Sequence, residues 1–234
     1  MSAIFKRELH SYFTSPVGYV VLAAFMFFSG VFLWVQCLYV GTSNMSTVFQ
    51  SMFFIQLFVI PLITMRLFAE DAKQKTDQAL LTAPVSIPGI VSAKFFSAMV
   101  MFILCLCSFI VDGLVLSFIS HPDWSVIIGN VFGMALLGAS FVSVGLFISS
   151  LTDSVIVAAI SSFAVNVLIS LLDTLGNTIP VDFLKNFVTS LSFQSRYSHF
   201  ALGLFSFADV IYFATVSLFF LFLTDRVIDR KRWA

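Results

Sequence analysis

Apolar residues run along this chain in six long stretches separated by short polar segments. The stretches lie near Val17–Leu38, Val48–Met65, Phe95–Ile119, Val126–Leu151, Val155–Leu172 and Val210–Thr224. A helix needs about 20 such residues to cross roughly 30 Å of hydrocarbon. The stretches are apolar throughout rather than alternating, which argues against barrel strands, and lipid cannot satisfy the backbone of an open strand. The pattern predicts an all-α integral membrane protein with six transmembrane helices, built from residues 1–234 as a single transmembrane domain. The first stretch follows Lys6 and Arg7, but it is too long for a signal peptide and no small-residue cleavage site follows it, so it reads as a span.

Three polar or mixed segments interrupt this pattern. In residues 1–15, Phe5, Leu9, Tyr12 and Phe13 recur at helical spacing while Lys6, Arg7, Glu8 and His10 fall largely elsewhere, predicting an amphipathic interfacial helix. Ser15-Pro16 then supplies a cap and a proline at a first helical position. Residues 66–94 carry seven of the 24 charged side chains, most of them between Glu70 and Asp77. Good helix formers without Gly or Pro fill Glu70–Leu81, predicting a short helix parallel to the membrane that Pro84 and Pro88 stop; Lys94 marks the return to the membrane. The bland alternative is a solvated loop helix with no partner. Residues 173–209 are too apolar for an ordinary loop and too short to cross, which fits re-entrant or interfacial helices before the last span.

Charge fixes the orientation of these elements. With the N-terminus inside, Lys6, Arg7, Arg66, Lys73, Lys75, Lys94, Arg226, Arg230, Lys231 and Arg232 are cytoplasmic, and only Lys185 and Arg196 are external. That asymmetry places both termini in the cytoplasm. Composition agrees: 59% of residues are hydrophobic, 10% are charged and mean hydropathy is +1.03, against about 25% charged in soluble domains. Net charge is zero, so nucleic-acid binding has no electrostatic support.

Few residues could carry chemistry within the spans. Asp112, Asn130 and Asn166 are the intramembrane polar candidates. Asp112 reads as a snorkelling or pore-edge carboxylate rather than a proton relay, because no cationic partner appears in the adjacent spans; the two asparagines can be satisfied by neighbouring helices. Asp153 reads as the N-cap of span five. Cys37, Cys105 and Cys107 read as packing thiols without metal-ligand spacing. His10, His121 and His199 all lie outside the clear spans, which disfavours an intramembrane serine hydrolase. Gly129-x-x-x-Gly133 in span four permits close helix approach. No phosphate-binding Gly-rich loop occurs, so the chain cannot bind and split ATP by that mechanism itself.

Several motifs together resemble the membrane subunit of a bacterial ABC transporter of the ABC-2 (type-2 exporter) class, most like the gliding-motility group. They are FKRELHSYFTSPVGY at the N-terminus, P-x-x-T-M-R-x-F-A-E closing span two, and T-x-x-x-L-L-T-x-P-V-S followed by SAKF. Pro61, Arg66, Glu70, Thr76, Leu80, Leu81, Thr82, Pro84 and Lys94 fall on matching positions. The chain departs from the family at Lys75 and Ala93, where the family commonly has glycine; a helix continuing through Lys75 would be straighter than one broken by glycine.

The resemblance implies a permease without enzymatic activity or cofactor in the bacterial inner membrane. It would pair with a second permease subunit, either the same chain or a related one with an extracytoplasmic domain, and dock two copies of an ABC ATPase subunit. Residues 66–94 would form the cytoplasmic coupling loop, with Arg66, Glu70, Asp71, Lys73, Lys75, Thr76, Asp77, Leu80 and Leu81 as ATPase-coupling residues. The apolar spans, with few buried charges, suggest a lipidic or amphipathic cargo more than a small ion. A haem-export-like permease of cytochrome assembly and a non-transporting membrane scaffold are the alternatives.

Overall fold

The computed structural model describes residues 2–76, 85–178, 192–201, 203 and 205–233. Of the described residues, 85% are helical and none is in a strand. Helix α1 (Ser2–Thr14) precedes α2 (Pro16–Leu33), which runs on through one π-helical turn, Trp34–Leu38. Then follow α3 (Ser46–Thr64), the short α4 (Ala69–Lys73), α5 (Ile87–Ser117), α6 (Trp124–Leu151), α7 (Val155–Thr178), α8 (Phe193–Ala201) and α9 (Phe207–Trp233). Six of these are long and apolar enough to span a membrane: α2, α3, α5, α6, α7 and α9. The chain is a multi-pass membrane protein.

Two helix boundaries differ from expectation, each for a local reason. Ser15 is extended and Pro16 opens α2, as the Ser-Pro pair predicts. The same device opens α5: Ser86 is extended and Pro88 occupies the first turn, where its missing N–H is no loss. Span three therefore starts at Ile87 rather than Phe95, and Lys94 lies inside a helix instead of marking its edge. Span six continues past Thr224 to Trp233, because Asp225, Arg226, Asp229, Arg230 and Lys231 are compatible with helix and end only its apolar character.

Helix α6 is the central post, packed by α3, α5, α7, α8 and α9. Without a strong hydrophobic force between helices in lipid, close backbone approach provides the packing. Gly138 leaves room for the Phe102 ring of α5, and Gly145 for Thr64 of α3. A Cβ on Gly133 would meet Phe200 of α8 at 2.6 Å. Gly129 faces open space, so the close contacts use Gly133 and the glycines beyond it rather than the Gly129–Gly133 pair. Buried rings fill the remaining interior: Phe109 stands edge-on to Phe25 at 5.8 Å and lies 4.6 Å from Phe49.

Candidate functional site

The strongest polar constellation forms where α3 ends. A helix leaves its last carbonyls without intrahelical partners and carries partial negative charge there. Here side chains from three other elements supply the donors. Tyr12 of α1 donates to the Ile63 carbonyl at 2.8 Å. Ser149 of α6 donates to the Met65 carbonyl at 3.2 Å and accepts the Phe68 and Ala69 N–H groups at 3.2 and 3.1 Å, capping the start of α4. Lys94 of α5 donates to the Leu67 carbonyl.

Lys94 is the centre of this site. Its side chain is 0% exposed, and its ammonium lies 2.9 Å from Glu8 Oε1 and 2.6 Å from Asp71 Oδ2. The Phe68 ring is 5.0 Å away. Arg7 closes the group, 2.6 Å from Glu8 and 3.2 Å from Asp71. Two cations and two carboxylates thus form a formally neutral cluster, the arrangement in which buried charges compensate one another. Burial alone would lower the Arg7 pKa, but hydrogen bonds and attraction from Glu8 and Asp71 raise it above its ordinary value. Burial pushes the Tyr12 phenol well above its usual range, keeping it a hydrogen-bond donor. The cluster ties α1, the segment after α3 and the first turns of α5 into one body, which α1 joins by packing Glu8, Leu9 and Tyr12 inward.

The sequence-predicted coupling residues divide around this cluster. Asp71 is inside it, and Thr76 donates to Asp71 Oδ1 at 3.0 Å. Arg66 and Glu70 pair across one turn at 3.9 Å and remain partly exposed. Lys73 and Lys75 are exposed, with no ion pair among the described residues. The helix expected over Glu70–Leu81 stops at Lys73: Lys75 adopts a left-handed backbone with φ of 57°, and Thr76 is already non-helical. Lys75 thus takes the conformation that glycine ordinarily supplies at a helix end. Asp77, Leu80 and Leu81 lie outside the described residues, as do Pro84, Lys185 and the rest of residues 179–191 in the segment expected to be re-entrant; its described residues belong mainly to the end of α7, to α8 and to the start of α9.

The intramembrane candidates do not meet at one site. Asp112 is 8% exposed and accepts a hydrogen bond from Ser29 of α2, so it turns inward rather than snorkelling or edging a pore. Asn130 donates to the Val126 carbonyl of its own helix at 2.9 Å. The Asn166 amide is buried without a hydrogen-bond partner among the described residues. Among the described residues Asp153 makes no capping bond; its exposed carboxylate lies 3.9 Å from Lys231, while Thr152 receives the Ser154 N–H.

Sequence reasoning missed Lys94, Glu8, Arg7 and Ser149 as site residues. A lysine in an otherwise apolar run was the available signal for Lys94. It also missed a second cluster at the far end of the bundle, where the buried Asp209 holds Arg196 at 2.9 Å and His199 at 2.8 Å. No protein-family model matches the chain, and no curated protein matches it.

Proposed function

We propose that the chain is the transmembrane permease subunit of an ATP-driven ABC-2-type exporter in the bacterial inner membrane. The observation that carries this reading is the Lys94–Glu8–Asp71–Arg7 cluster, beside which Lys73 and Lys75 are exposed and Arg66 and Glu70 partly so. In this reading the exposed charges meet a cytoplasmic ATPase. The cluster beneath them converts its movement into displacement of α1 and α5. A load applied at α4 reaches span three through Asp71–Lys94 and the N-terminal helix through Lys94–Glu8. Closure of the ATPase pair then moves these elements as a rigid body. A second permease subunit completes the pathway.

The test is purification of the chain with its co-expressed ATPase, comparing wild type with Glu70→Lys/Lys73→Glu. Reversing charges at an interface places like charges together, so docking or stimulated hydrolysis falls by about tenfold or more. Unchanged docking and unchanged hydrolysis would contradict the coupling role and favour a membrane scaffold.

A further inference from the structure

A second charged cavity lies at the same end of the bundle, between the start of α5 and the last turns of α9. Its volume is about 450 Å³, within the range of small-ligand pockets. Asp225, Arg226, Asp229 and Arg232 line it from α9; Ile87 and Pro88 line it from α5. Two acids and two arginines would ordinarily neutralise one another, yet none of the four joins an ion pair among the described residues. Asp225 Oδ1 is buried with no hydrogen-bond partner among the described residues. The first turn of α5 borders the same space through Ile87 and Pro88, and its N-cap Ser86 makes no side-chain cap.

Depth identifies the kind of ligand. Helix α5 has 31 residues, or about 46 Å at 1.5 Å each, close to the 40–45 Å of a bilayer with its headgroups. Its first turn therefore lies in the headgroup layer. On α9 the exposed apolar side chains Leu218, Phe219 and Phe222 lead directly to the cavity, and the Arg226 guanidinium stands 5.0 Å from the Phe222 ring. An apolar stripe that ends in a charged pocket suits a molecule with an acyl chain and a polar head. A soluble protein would have no use for the stripe.

We propose that this cavity binds a zwitterionic phospholipid headgroup with a primary ammonium, phosphoethanolamine. Arg226 and Arg232 receive the phosphate, and Asp225 and Asp229 receive the ammonium. Two positive and two negative side chains match a ligand of zero net charge, whereas an anionic headgroup would leave both carboxylates opposed. The three ammonium N–H donors distinguish this headgroup from choline, which has none. The binding does not depend on the permease reading.

Native mass spectrometry of the full-length, delipidated protein tests the site on the ligand side. The probes are dioleoyl phosphatidylethanolamine, its N-methyl and N,N-dimethyl derivatives, phosphatidylcholine and phosphatidylglycerol. Retention of one lipid is expected to fall stepwise as methyl groups replace donors, with phosphatidylethanolamine favoured over phosphatidylcholine by about tenfold. Asp225→Asn/Asp229→Asn should abolish that preference, and Arg226→Gln/Arg232→Gln should abolish retention of every phospholipid. Equal retention across the methyl series, preference for phosphatidylglycerol, retention of no lipid, or an unchanged preference in the Asp variant would overturn the proposal. The methyl series uses wild-type protein throughout, so poor folding of a variant does not protect it.

Discussion

Replacing Lys94 by methionine is the most informative single change at the polar cluster. The substitution conserves much of the side-chain length but removes an ammonium that is 0% exposed and touches Glu8 at 2.9 Å and Asp71 at 2.6 Å. It also leaves the Leu67 carbonyl without that donor. Removing one partner of a buried ion pair costs about 3–5 kcal/mol, because the opposite charge stays buried. Here the carboxylates keep 12% and 17% side-chain exposure, and Arg7 remains beside both, so the lower figure applies. A loss of about 3 kcal/mol corresponds to a fall in Tm of about 6–12 °C for a chain of this size. Thermal unfolding in detergent at a fixed scan rate measures it. The triple variant Lys94→Met/Glu8→Gln/Asp71→Asn removes the stranded charges along with the ammonium, leaving the half-exposed Arg7 to water. It should be more stable than Lys94→Met alone. A fall of less than about 2 °C for the single variant, or a triple variant that is simply worse, would refute the picture of a buried charge balanced by Glu8 and Asp71.

Other changes test neighbouring contacts. Tyr12→Phe strands the buried Ile63 carbonyl and should cost about 1–2 kcal/mol in the same assay. Lys75→Gly relieves a left-handed backbone at an exposed position and should stabilise by about 0.5–1 kcal/mol; destabilisation would contradict the φ of 57°. Gly138→Ala forces a methyl group into the Phe102 ring and should cost about 1–3 kcal/mol, while Gly129→Ala, facing open space, should leave folding and detergent elution unchanged.

The six spans were legible because length and uniform apolarity are what a bilayer demands. Helix ends were less so. Pro88 belongs to a segment that reads as a stop, yet in the first turn it starts α5; charged residues at 225–232 end the apolar pattern without ending the helix. The loop around Glu70 stood out from charge alone, but its centre did not. Glu8 and Asp71 lie 86 and 23 positions from Lys94, and only the fold brings them to one ammonium. Lys75 was misread because propensity favours helix through it, while the turn after α4 requires a left-handed residue. Among the small residues of span four, spacing picked Gly129–Gly133, but the side chains of α3 and α5 decide which glycines are used, and they face Gly145 and Gly138.

The central claim is that the exposed residues beside the Lys94 cluster contact a nucleotide-driven motor. Site-specific photocross-linking in native membranes tests it directly, with a benzophenone side chain placed at Lys73 or Lys75 and, as a lipid-facing control, at Phe219. The permease account predicts an adduct with an ATP-binding protein from positions 73 and 75, changing in yield when ATP is trapped by vanadate, and none from position 219. Absence of that adduct from both loop positions, or an adduct indifferent to nucleotide, would contradict it.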